Sequence, residues 1–93
     1  MGIAVSQVIL FEVMQELSKA AKKFPPFKSE HEGYAILFEE VDELWDAIKN
    51  TRTKNHDVYV RGEAIQVAAM ALRFLIDICY REQAIKEANG EKV

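Results

Sequence analysis

Along most of the chain apolar residues return every three or four positions, the period of helices that bury one face. From Ile3 to about Phe24 the repeating positions are Val5, Val8, Ile9, Val13, Met14, Leu17 and Ala21. Lys19, Lys22 and Lys23 close this stretch with positive charge, which complements the C-terminal end of a helix dipole. A proline pushes the residue before it out of the α region, so Phe24-Pro25-Pro26-Phe27 reads as a stiff connector. Ser29 with Glu32 three residues on is a capping-box pattern and predicts a second helix running to about Asn50. On that helix Tyr34, Leu37, Val41, Leu44, Trp45 and Ile48 form one broad apolar face, and Glu39, Asp42, Glu43 and Asp46 lie opposite. Glu40 stands at the border, beside Ile36 and Ala47, where a carboxylate can point into a groove between helices.

Residues 51 to about 57 are polar and read as a loop, with Asn55 or Asp57 available to cap the next helix. This third helix is predicted from about Val58 to Ala88. Between Val67 and Cys79 its charged residues are Arg73 and Asp77, so most of its circumference is apolar and must be buried. Two other helices of a small chain can hardly surround it. The pattern therefore predicts an all-α fold, a helical bundle of three main helices completed by oligomerisation as a homodimer or homotetramer. A single domain over residues 1–93 is expected, with the tail frayed from about Asn89.

Composition narrows the functional classes. With 93 residues, 49% hydrophobic and 29% charged, the chain falls among single globular domains. A domain of this size buries only about 60–65% of its unfolded surface, so association would add needed stability. The net charge of −3 argues against a nucleic-acid binder, because affinity for a phosphate backbone comes mainly from Lys and Arg. A bound cation can still reverse the local sign and recruit phosphates. The single cysteine, Cys79, has no internal disulfide partner and lies in an apolar run, which reads as a small buried hydrophobe in a reducing cytoplasm. Glu12 and Glu16 interrupt the first apolar stretch, which argues against a signal peptide, and no window approaches the ~20 apolar residues of a membrane span. Met1-Gly2 with Ser6 matches the few fixed positions of a myristoylation pattern, a weak signal.

The chemistry-bearing residues are two polar pairs. Glu40 and Glu43 stand at i and i+3 and project about one turn apart. Glu63 and Gln66 repeat that spacing on the next helix. An antiparallel hairpin would bring three carboxylates and one amide oxygen around a small volume, a donor set that suits Mg²⁺ or Mn²⁺. No His or Cys has the spacing of a zinc site. The spacing by itself is weakly specific, because Glu-x-x-Glu is common on solvated helices. Glu39, Asp42 and Asp46 fit a solvated face better than a ligand role.

The run Glu39-Glu40-Val41-Asp42-Glu43-Leu44, followed after the loop by Glu63-Ala64-Ile65-Gln66-Val67-Ala68-Ala69-Met70-Ala71-Leu72, resembles the MazG-like, all-α nucleoside triphosphate pyrophosphohydrolases. Their pattern is Glu-x-x-Glu on one helix and Glu-x-x-Asp on the next, and here nineteen residues separate Glu43 from Glu63. The resemblance covers Glu30 to about Asp77. It implies a Mg²⁺-dependent hydrolysis of a nucleoside triphosphate to the monophosphate and pyrophosphate, with Glu40, Glu43 and Glu63 as metal ligands. Gln66 takes the place of the usual Asp; its carbonyl oxygen can coordinate, but it brings no charge and cannot act as a base. Glu43, and by adjacency Glu39 as a water-orienting group, are the catalytic candidates. Lys49, Arg52, Lys54 and Arg61 are placed to reach phosphates from in or beside the loop. Trp45 can stack on a base, although its place on the apolar face favours packing in a core or a subunit interface. Asp77 lies about 21 Å along the helix from Glu63, from a rise of ~1.5 Å per residue, so it pairs with Arg73 at i+4 or serves a second subunit. His31 and His56 sit near helix starts, with no catalytic role expected. The rival readings are a non-catalytic helical module that binds nucleotides or another protein, and a purely structural helical oligomer whose acidic pairs are solvated.

Overall fold

A computed structural model describes residues 2–91. Met1 of the myristoylation pattern and Lys92 and Val93 of the tail lie outside the described residues. The elements are α1 (Val5–Lys23), α2 (Glu30–Lys49), α3 (His56–Phe74), a π-helical turn (Leu75–Cys79) and α4 (Arg81–Ala88). No helix among the described residues is long and apolar enough to cross a membrane.

The first two helices begin and end where local chemistry dictates. Phe24, held extended before the proline at φ −130° and ψ 142°, closes α1. Ser29 caps α2 by accepting from the Glu32 backbone N–H at 3.1 Å. The Glu32 carboxylate reaches back one residue further than a standard capping box, to the Lys28 N–H at 3.2 Å. Asn55 precedes α3 without a capping bond from its side chain.

The third helix departs from expectation in its second half. Instead of running unbroken to Ala88, it widens at Leu75–Cys79, where the Tyr80 N–H donates five residues back to the Leu75 carbonyl at 2.8 Å. Tyr80 then leaves helical geometry at φ −118° and ψ 29°, and α4 starts afresh. The tail expected to fray at Asn89 closes in a Schellman motif: Glu91 N–H bonds the Lys86 carbonyl and Gly90 N–H the Glu87 carbonyl, with Gly90 at φ 79°. Cys79, expected to be buried, is exposed on the π-turn.

α3 is central and packs along both α1 and α2. The shared core comprises Val13 and Leu17 of α1, Phe27 of the connector, and Ala69 and Met70 of α3, with Ile36, Leu37, Ile65 and Phe74 packed against it. At the C-terminal end of α3, buried Arg73 ties the layers together. It donates to the carbonyls of Ala20, Phe24 and Pro25 at 3.3, 2.6 and 2.8 Å and pairs with Asp77 at 3.2 Å. Asp77 also accepts from the Phe27 N–H at 2.9 Å. The Phe24 and Pro25 carbonyls lie past the end of α1, and the Ala20 carbonyl, which already accepts from the Phe24 N–H at 3.0 Å, takes a second bond, so Arg73 fixes the connector that launches α2. The Arg73–Asp77 ion pair expected from the i+4 spacing is therefore present, with a further role that spacing alone did not reveal.

α2 is rotated relative to the sequence reading. Its broad apolar face does not face the core as a unit: Tyr34, Val41, Trp45 and Ile48 are exposed, as is Phe38 beside them, while Leu37 and Leu44 are half-buried. The side turned inward carries Gly33, Ile36, Leu37, Glu40, Leu44 and Ala47. Gly33 explains the rotation, because a Cβ built there would lie 2.6 Å from a ring carbon of Phe74 and 3.0 Å from one of Phe27. Only glycine lets the start of α2 come this close to the end of α3. Turning α2 about this contact brings Glu40 into the groove.

Candidate metal centre

Contact of Gly33 with Phe74 at one end, and of Glu43 with Glu63 near the start of α3 at the other, makes α2 and α3 an antiparallel hairpin joined by residues 50–55. Between that loop and the Gly33–Phe74 contact, Glu40 and Glu43 from α2 meet Glu63 from α3, with one carboxylate oxygen of each within 4.8 Å of the others. Like charges this close destabilise one another, and partial burial adds to the effect. Burial first, then the nearby Glu43, Glu63 and Glu39 charges, push Glu40 from the usual 4.5 up to about 7. Glu63 is likewise raised, by burial and then by Glu43. Oε2 of Glu63 is buried without any hydrogen-bond partner. A solvated acidic surface leaves no oxygen in that state, because water satisfies it.

Gln66 is turned differently. Its amide nitrogen donates to Glu16 of α1 at 2.7 Å, a bond that lowers the Glu16 pKa ahead of any other influence. This leaves the carbonyl oxygen as the atom able to meet a cation. Arg61, expected beside the phosphates, forms an ion pair with Glu12 of α1 instead. Lys49 pairs with Asp46 at 3.3 Å and lies 5.5 Å from the Trp45 ring centre. Trp45 is 55% exposed, outside the core of this chain. Arg52, Lys54 and Glu39 are exposed.

Two cavities flank the carboxylates. One, of about 470 Å³, holds Glu43 and Glu63 and runs toward the loop past Asn50, Thr53, His56 and Tyr59. His56 Nδ1 lies 2.9 Å from the Asn50 carbonyl oxygen and links the two helix ends. The other, of about 390 Å³, holds Glu39, Glu40 and Gln66 and runs toward the Phe24–Phe27 connector. His56, for which no catalytic role is expected from the sequence, and Tyr59, Phe24 and Phe27, which have no site role there, line these two cavities. The Phe-Pro-Pro-Phe run was the available signal, since two aromatic rings on a stiff connector form a wall once the helices fold back. Comparison with protein-family models, curated proteins and solved structures matched the chain to none of them.

Proposed function

We propose that this chain is a Mg²⁺-dependent nucleotide pyrophosphohydrolase of the MazG-like kind, which converts a nucleoside triphosphate to the monophosphate and pyrophosphate. The observation that carries the proposal is the Glu40, Glu43 and Glu63 group with its buried, unpartnered Glu63 oxygen. The donors are all carboxylate oxygens, the set that hard divalent cations prefer, so Mg²⁺ or Mn²⁺ fits them. When bound, such an ion offsets the charge of the triphosphate and acidifies a bound water. Glu40, Glu43 and Glu63 hold that ion, Gln66 has a carbonyl oxygen to add, and Glu39 is placed beside Glu40 to orient a water. Arg52 and Lys54 stand on the adjoining loop, where their charge favours a polyphosphate. In the same proposal, exposed apolar stripes are covered in a homodimer or homotetramer, and the reduced thiol of Cys79 suits a cytoplasmic location.

A second reading, a nucleotide-binding module without turnover, draws on one observation: the amide of Gln66 is engaged by Glu16 and supplies no charge where the resembled pattern has Asp. Pyrophosphate release over a panel of nucleotides with Mg²⁺ and Mn²⁺ separates the two. The hydrolase reading expects release that Glu43→Gln lowers at least about 100-fold, since even outer-shell changes cost about 10–100-fold at metal sites. Nucleotide binding with no release from any substrate would favour the module. Undiminished release by Glu43→Gln would remove this centre from the reaction.

A further inference from the structure

Two acidic side chains one turn apart on α1 reach across to α3. Glu12 pairs with Arg61, and Glu16 accepts from the Gln66 amide nitrogen at 2.7 Å. The two carboxylates are alike in setting, each with 25% of its side chain exposed. They differ in what lies beyond the residue they hold. Arg61 lines the groove between α1 and α3, whereas Gln66 lines both that groove and the cavity that holds Glu39 and Glu40. Gln66 therefore stands between Glu16 and the carboxylate group, one turn along α3 from Glu63.

An amide side chain has a donating end and an accepting end, and only the accepting oxygen can meet a cation. A carboxylate accepts and does not donate, so Glu16 admits one of the two amide orientations, with the nitrogen toward α1 and the carbonyl oxygen turned away from it. Glu16 is itself held at both oxygens, since Oε1 accepts from Lys19 at 3.2 Å while Oε2 accepts from Gln66. It also carries a negative charge one hydrogen bond outside the position where the resembled pattern has Asp and this chain has Gln66.

We infer that Glu16 is a positioning residue of the metal centre: it fixes the Gln66 amide so that its carbonyl oxygen joins the Glu40, Glu43 and Glu63 carboxylates as a donor to a divalent cation, and it returns from α1 the charge that glutamine lacks. The inference rests on the cation site of the function proposed above. It does not depend on turnover.

The test is Mn²⁺ affinity, measured by calorimetry at one mildly alkaline pH, with the metal-free melting profile of each variant recorded so that loss of the α1–α3 tie is read apart from loss of the ion. Glu16→Gln keeps the size of the side chain but removes its charge and lets the facing amide turn over. It is expected to weaken Mn²⁺ binding by about tenfold or more, within the 10–100-fold range of outer-shell changes. Glu12→Gln removes the same charge from the same helix without touching Gln66. Its Mn²⁺ affinity should stay within about twofold of wild type, because a charge not bonded to a ligand is screened. Glu16→Gln combined with Gln66→Asp moves the charge onto α3 and leaves a donor on α1 to face it. This double variant should bind Mn²⁺ at least as tightly as wild type.

If Glu16→Gln binds Mn²⁺ as wild type does, the bond only joins α1 to α3, and the metal centre stands without Glu16. Equal weakening by Glu12→Gln would also overturn the inference, since the net charge of α1 would then account for the loss. A double variant as weak as Glu16→Gln would do the same. Failure of wild type to bind Mn²⁺ would instead overturn the hydrolase proposal, and the role of Glu16 with it.

Discussion

A glutamate on a helix surface gives up its proton near 4.5, whereas Glu40 keeps it up to about 7 because its charge is partly buried and faces Glu43 and Glu63. The folded chain thus binds this proton more tightly than the unfolded chain does. That preference stabilises the fold fully below 4.5 and is lost as pH rises through 7. Without divalent cations, the melting temperature should fall between about pH 5 and pH 8. Glu40→Gln removes the ionisable group, so it should raise the metal-free melting temperature at about pH 8 and flatten the profile, with Glu63 leaving a smaller residual slope. A cation needs the deprotonated carboxylate. Mn²⁺ should therefore raise the wild-type melting temperature most at high pH, and should do so far less in Glu40→Gln. A substitution that stabilises the metal-free chain and strongly reduces its response to metal is the signature of a site organised around an ion. If Glu40→Gln left both the pH profile and the Mn²⁺ shift unchanged, Glu40 would be an ordinary surface carboxylate.

At the scale of the helix, two glycines separate packing from propensity. Gly33→Ala in α2 places a methyl against Phe74 and Phe27 at distances no packed ring accepts without moving. Overpacking of this kind costs about 1–3 kcal/mol, which exceeds the ~1 kcal/mol that alanine gains over glycine in a helix. Gly62→Ala in α3 meets nothing within 4 Å, so it should stabilise by about 0.5–1 kcal/mol. Chemical denaturation of the two variants should move in opposite directions, and stabilisation by both would mean that α2 does not approach Phe74 as described. The same glycine marks the limit of what sequence could supply. Helix ends written in adjacent residues, such as Phe24 before Pro25 or Ser29 before Glu32, were legible because a few neighbours decide them. Glu40 was legible as a groove residue because the wheel put it at the border. The rotation of α2 was not, because it depends on Gly33 meeting the ring of Phe74, far along the chain. Nor was the π-turn, which interrupts a helix whose composition shows no proline between Val58 and Ala88. The engagement of Gln66 by Glu16 and of Arg61 by Glu12 escaped for the same reason, since both bonds join α3 to α1 across a long separation.

On the scale of the whole molecule, the isolated chain is too open for its mass. A folded monomer of 10.6 kDa exposes about 5,500 Å², but this chain exposes 7433 Å². Its radius of gyration is 15.3 Å, against about 12 Å for a compact chain of this length. The excess surface, about 1,900 Å², is more than the ~800 Å² that one partner contributes to a standard interface. Much of it is apolar and ordered in stripes. On α2, Tyr34, Phe38, Val41, Trp45 and Ile48 are all large, apolar and exposed, at alternating spacings of four and three that suit helix-on-helix packing. On α1 and the π-turn, Leu10, Phe11, Met14, Leu75 and Ile76 are also exposed. The proposed assembly covers such surface with a second copy, and the α2 stripe is its most regular candidate. Sedimentation should give wild type a mass at least twice 10.6 kDa, and Phe38→Lys with Ile48→Lys should return it to the mass of one chain. Trp45 reports on the same face, being the single tryptophan. Its emission should be blue-shifted in wild type and move to the red in the double variant as the ring becomes solvated. A wild type that sediments as one chain would mean that no copy covers the stripe, and Trp45 would then be free for a ligand. A double variant that keeps the larger mass would move the interface to the α1 and π-turn surface.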